Sequence, residues 1–303
     1  MASTISKTTA AANIPQIWAN KGLEALSNNV VLPGIVSRTW DKEFRQKGDR
    51  VNILNSLTVS ANAKAVQTAI TLQTPTYSNV TVTLDKHYEA SMGVEDVAKT
   101  LMIDDKMQAF ADAAMKALAN QIDTDLITEA ANFTGTAAGT QGVAADAALL
   151  RLANKRLKDE KSTGPHVMVV GTQTESDLLS QNLFIQANTV GSVSAIQNAK
   201  LTNLLGFTIY VDQNVSRTGS PAGDKNIAFN PDALALAAAA LYDPSADFGG
   251  AVKSAVAYDP QAKLGIRFSM SWSQMDLAVL ETFDVLYGVK VIRPKFGLYA
   301  YGA

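Results

Sequence analysis

A chain of 303 residues that is 47% hydrophobic and 18% charged can build a real core, and its length suits one large domain or two ordinary ones. It contains no cysteine, which excludes a disulfide framework, a thiolate zinc site and a cysteine nucleophile. Lys and Arg total 26 against 28 Asp and Glu, and the net charge of −2 gives no electrostatic reason to hold nucleic acid tightly.

The opening MASTISKTTAAAN is small and polar, a flexible leader by composition. It lacks the basic and apolar regions of a secretory signal. The longest apolar run, ALALAAAAL at 233–241, falls short of the ~20 residues that span a bilayer, so the expectation is a soluble cytoplasmic protein. In IPQIWANKGLEALSN, Ile17, Trp18, Leu23 and Leu26 stand near helical spacing, with Pro15 suited to a first turn and Gly22 weakening the middle. VVLPGIVSRTW follows as an extended segment broken by Pro33 and Gly34. This arm carries apolar anchors without a core of its own, and Ile17, Trp18, Leu23 and Leu26 are expected to dock on something outside it.

From Asp41 to Lys86 the pattern predicts a long hairpin, with RVNILNSLTV and NVTVTLDK as its strands and a weaker alternation through Val66, Thr68, Ile70 and Leu72 near the tip. No aromatic residue occurs between Phe44 and Tyr77, and an isolated two-stranded hairpin is marginal in water, so its cover must come from elsewhere. Residues 104–133 place Phe110, Ala114, Leu118, Ile122, Leu126 and Ala130 at steps of four, which predicts one amphipathic helix of ~45 Å with Asp104 and Asp105 at its start. GTAAGTQG at 135–142 reads as a linker and ADAALLRLANKRLKDE as a second helix. An α/β alternation follows. HVMVVG is a strand, TQTESDLLSQ a helix with a Thr or Ser cap, LTNLLGFTIYVDQNV a strand entered through Gly206, and NIAFNPDALALAAAAL a strand, a turn at Asn230 and Pro231, then an apolar segment. The C-terminal stretch carries strand-like runs separated by Gly265, Gly288 and Pro294.

Chemistry is sparse. His87 and His166 stand in no metal-ligand spacing, Asp123 and Asp125 read as helical surface charge, and there is no Walker loop, GxGxxG fingerprint or GxSxG elbow. Trp18, Trp40 and Trp272 do not interleave with basic residues as a single-strand platform would, and the mixed clusters at 41–50 and 155–161 read as solvated or subunit-facing surface. A scattered active site would leave no such trace, so an enzyme stays open but unsupported, and no cofactor is expected.

The order of these parts resembles the major capsid (coat) protein of tailed bacteriophages, the Hong Kong 97 type capsid fold, in its short-tailed-phage coat-protein branch. The likeness rests on IPQIWANKGLEALSNNVVLPGIVSRTW with DKEFRQKGDRVNI, on LLGFTIYVDQNV with IAFNPDALALA, and on IRFSMSWSQMDLAVLETFDVLYGVKVIRP. The resemblance implies an α+β fold with an N-terminal arm (1–38), an extended β-hairpin loop (39–86), a peripheral domain with a long spine helix (87–148), an axial α/β domain (149–251) and a peripheral C-terminal return (252–303). It implies a structural protein that self-assembles in the host cytoplasm into pentamers and hexamers of an icosahedral shell enclosing double-stranded DNA without specific binding. Its partners would be a scaffolding protein and a portal, with a decoration protein as an optional third. Subunit contacts are expected from Ile17, Trp18, Leu23, Leu26, Lys64, Val66, Ile70 and Leu72, the loop acting as a strap across a neighbour. An intracellular α/β enzyme in a small oligomer and a tail or fibre protein are the alternatives.

Some members of that family join a loop lysine to an asparagine of a neighbour's peripheral domain. Lys64, near the loop tip, could serve as the amine, although a solubilising charge on an exposed tip is the preferred reading; no asparagine occurs after Asn230, and Gln261 and Gln274 are the only amides in the matching stretch. Particles boiled in denaturing detergent are therefore expected to run as a single band near the 32.2 kDa monomer; a ladder of covalent multimers would overturn this.

Overall fold

The computed structural model describes residues 16–17, 19–24, 26, 30–39, 50–54, 59, 61–64, 66–70, 72, 79–95, 106–181, 203–246, 252–259 and 264–303. Trp18, Trp40, Asp104, Asp105, Gln261 and most of the 41–50 cluster lie outside them. Two sheets share one long helix. The first sheet is antiparallel, in the order β10 (Val252–Asp259), β11 (Leu264–Ser273), β12 (Ala278–Val291), β3 (Lys86–Glu95), with β9 (Leu234–Ala239) pairing the far end of β12. The second runs β13 (Gly297–Tyr301), β8 (Gly223–Phe229), β4 (His166–Val170), β6 (Phe207–Val211), β5 (Asn203–Leu204), with β7 (Arg217–Thr218) on β8. β4 and β6 are parallel, and α3 (Thr172–Ser180) lies in the connection between them.

Helix α1 (Lys106–Glu129) packs on β3 and β12 and is about 36 Å long over these residues. It closes in a 3-10 turn at Ala130–Asn132, after which Phe133 is extended and stacks on Phe229 with ring centroids 6.0 Å apart. The steps of four do form its buried stripe: Ala114, Leu118, Ile122, Leu126 and Ala130 are all enclosed. Helix α2 (Ala147–Asp159) is capped by Asp146, which accepts from Leu149 N at 2.8 Å, and its Leu149, Leu150, Ala153 and Leu157 form a separate core with α3 and the second sheet. α3 follows Gly171 instead of a Thr or Ser cap. Its free amides are taken from across the chain: Asn226 Oδ1 accepts from Gly171 N and Asp224 Oδ2 from Thr174 N, both at 2.9 Å.

The expected boundary near 251 does not follow the sheets. β9, from within 149–251, pairs with β12, while β13, from within 252–303, pairs with β8. The linker at 135–142 is likewise bound in, since Ala138 exchanges backbone hydrogen bonds with Tyr299 and Tyr301. Gly265 and Gly288 do not separate strands either: each lies within one, β11 and β12.

Gly288 has a steric reason. A Cβ there would meet Thr83 O at 1.8 Å, so only a bare backbone lets the stem of the 41–86 hairpin lie on β12. Gly288→Ala is expected to displace that stem and destabilise the chain by about 1–3 kcal/mol, as overpacking does. Urea unfolding checks it: a lower midpoint at unchanged slope is expected, and an unchanged midpoint refutes the close-approach role.

Candidate assembly surfaces

The hairpin divides into a stem and a tip. In the stem β1 (Arg50–Leu54) pairs antiparallel with β2 (Asn79–Thr83), Val51 opposite Val82 and Ile53 opposite Val80. One face of it, Val51, Ile53 and Val82, is buried against Ala235 and Ala237 of β9 and against Ile292. The other face of β9, Leu234, Leu236 and Ala238, belongs to the main core, which is why 233–241 reads as a continuous apolar run without alternation. The stem's cover therefore comes from its own chain. Among the described residues of the tip, Val66 is 92% and Leu72 85% exposed, and Val59, Lys64 and Ile70 are exposed with them. The described residues 66–70 form no strand, and Gln67 lies in a turn at φ 63°.

Two anchors hold the stem's root and the arm to α1, and both are acids that the sequence places on the surface. Asp125 is buried. Its Oδ2 accepts from the Tyr287 hydroxyl at 2.8 Å and pairs with Lys86 Nζ at 3.2 Å, and its Oδ1 accepts from Gln121 at 3.0 Å. Burial works against the charge of Lys86, but the Asp125 carboxylate outweighs it and holds the ammonium above its usual value; burial, with Asp125 beside it, pushes the Tyr287 phenol up. Asp123, on another side of the helix, accepts from the arm amides Val31 N at 3.0 Å and Leu32 N at 3.1 Å. A regular 3.6-residue period cannot reveal either acid as buried, because each answers to donors far away in sequence.

In the arm, residues 16–17, 19–24 and 26 are helical. Leu23 and Leu26, expected to dock outside the arm, are buried in their own chain's main core with Leu32, Val36 and Met115. Gly22 has close neighbours: a Cβ there would meet Phe283 at 3.0 Å and Ile266 at 3.2 Å, so the arm crosses the first sheet at its smallest residue. Ser37 then extends β9 by a parallel bridge to Ala235. Of the arm's anchors within the described residues only Ile17 stays exposed, at 51%.

One surface went unseen in the sequence. The turn between β11 and β12 presents Trp272, Met275 and Leu277, with Met275 97% exposed. Strand alternation marks such residues as core until the turn position is known. The histidines are structural: His87 Nε2 lies 3.0 Å from the buried Asp284, which Arg267 also holds, and His166 stands between Asn154 and Ser162, its pKa lowered by burial. Among the described residues no three His, Asp or Glu gather as metal ligands, and no helix is long and apolar enough to cross a membrane.

The arrangement of an arm, a pinned two-stranded loop and a long helix between two sheets is matched by solved phage capsid structures. The chain is similar to a chain of Mycobacterium phage Che8 at TM-score 0.66 with 19% identity, covering 89% of this chain and 90% of that one. It is similar to the mature capsid of bacteriophage PhiM1 at TM-score 0.59 and 14% identity, over 89% and 86% of the two chains. It is also similar to the capsid of Ralstonia phage GP4 at TM-score 0.59 and 12% identity, over 85% of each. No family model and no curated sequence matches. The fold is the Hong Kong 97 type capsid fold, as the resemblance implied.

Tyr287→Phe removes one of the donors to a buried carboxylate and is expected to cost about 1–3 kcal/mol, the penalty for an acceptor left short of partners. Thermal unfolding should show a lowered midpoint, and a variant as stable as the parent would show that Lys86 and Gln121 suffice for Asp125.

Proposed function

We propose that this chain is the structural major capsid subunit of a tailed bacteriophage, forming pentamers and hexamers of an icosahedral shell that encloses double-stranded DNA. The observation that carries the reading, beside the capsid fold, is the contrast within residues 50–83: a stem packed into its own subunit and a tip whose Val59, Val66, Ile70 and Leu72 are exposed. Apolar side chains held out on a fixed stem gain burial only when a neighbour lies under them, and such a contact, repeated around a ring, closes a shell. Residues 39–86 would then be the extended loop, residues 1–38 the arm, and the second sheet with α2 and α3 the axial domain around which capsomers form. A net charge of −2 suits a container that retains DNA by enclosure. Assembly in the host cytoplasm, with a scaffolding protein and a portal as partners and a decoration protein as an optional third, belongs to the same reading.

Negative-stain microscopy of the purified protein tests it. Closed shells of uniform diameter are expected, and a discrete small oligomer or open fibres would overturn it. The combined change Val66→Ser, Ile70→Ser and Leu72→Ser should leave unfolding of the subunit within about 0.5 kcal/mol of the parent, as substitutions at exposed positions do, yet abolish shells. Shells at normal yield from that variant would remove the tip from the assembly contact.

A further inference from the structure

A second enclosed acid lies near the arm's docking point on α1. Asp123 is 2% exposed, and the two amides it accepts open the turn Leu32–Gly34, where Val31 supplies no capping side chain. Asp123 thus satisfies donors that the arm cannot satisfy itself. Asp212 follows β6 and is also buried: its Oδ1 accepts from Asn214 N at 2.8 Å, and its Oδ2 accepts nothing among the described residues. Val215 of the same loop lies in the core that holds Leu26, Leu32 and Ile122. Among the described residues no cation pairs with either acid. The other ionisable groups nearby are engaged elsewhere: Tyr287 of β12 donates to Asp125, Asp125 pairs with Lys86, and the arm's Arg38 donates to Pro33 O.

Burial first, and then the charge of Asp212, push the Asp123 carboxyl up to about 7, against the two amide hydrogen bonds that favour its charged form. We propose that Asp123 is a proton-linked latch for the arm: seating residues 31–32 on α1 takes up one proton on its carboxyl, and lifting them returns that proton to solvent. Val31 N bonds Oδ2 and Leu32 N bonds Oδ1, so the protonated carboxyl keeps its carbonyl oxygen for one arm amide while its hydroxyl oxygen accepts more weakly from the other. Lifting the arm admits water, which restores Asp123 to an ordinary carboxyl value of about 4. The seated state then binds more protons than the lifted state between about pH 4 and about pH 7. Seating therefore strengthens as pH falls through that window, by up to about tenfold per unit, and is independent of pH on either side. The latch belongs to a single subunit and holds whether or not shells form.

Hydrogen exchange of the segment containing residues 26–36, measured in the full-length chain and divided by the intrinsic chemical rate at each pH, tests this. Protection should fall at least tenfold between about pH 5 and about pH 7 in the parent and stay flat in Asp123→Asn, whose side chain cannot titrate. Should that variant not fold, Asp212→Asn serves: it keeps an acceptor for Asn214 N, removes the neighbouring charge, and should move the midpoint to lower pH. Flat protection in the parent, an undiminished slope in Asp123→Asn or an unmoved midpoint in Asp212→Asn would each overturn the latch.

Discussion

Two carboxylates buried on one helix are the constraint around which the rest is arranged. Removing a charge from water costs several kcal/mol unless donors replace the lost hydration, and α1 cannot supply them from its own backbone, whose amides are already bonded within the helix. Asp125 takes its donors from Lys86 at the root of the hairpin and from Tyr287 in β12, and Asp123 takes its own from the arm. The arm and the hairpin are thus fastened to the same rigid element. Truncating either acid would loosen a segment and leave its donors unsatisfied.

That fastening explains how a weakly apolar hairpin can be both ordered and available. Its stem buries one face on β9, a strand of small residues that keeps its other face for the main core, and Gly288 removes the one side chain that would hold the stem away. Order therefore enters from the root. The exposed apolar residues Trp272, Met275 and Leu277 sit where β11 turns into β12, at the end of supported strands, where burial against another surface costs little further chain entropy.

The second sheet is a more self-contained unit. Its core of Leu150, Leu157, Met168, Val170 and Phe207 is closed by α2 and α3, and the amides of α3 are answered by Asp224 and Asn226 of β8. Yet β13, the last strand of the chain, completes that sheet, and β9 leaves it for the other, so each half holds a strand from the other's sequence range. The chain crosses between the halves more often than a linear division into domains suggests, which couples them mechanically.

Periodicity was enough to identify α1, α2, β1, β2, β4, β6 and β8, because side-chain direction repeats every 3.6 residues in a helix and every two in a strand, and burial follows direction. The absence of aromatics between Phe44 and Tyr77 likewise marked the hairpin as needing cover, and the order of the parts alone pointed to a capsid fold. Periodicity could not say that β9 is covered on both faces, that Gly288 lies within β12 and lets Thr83 approach, or that Leu23 and Leu26 are claimed by their own subunit. Nor could it distinguish Asp123 and Asp125 from surface charge. Those outcomes depend on which distant backbone or side chain arrives opposite a residue, as Val31, Leu32, Lys86 and Tyr287 do here. Such pairings form only when the sheets and the helix close on one another, so tertiary structure alone decides them.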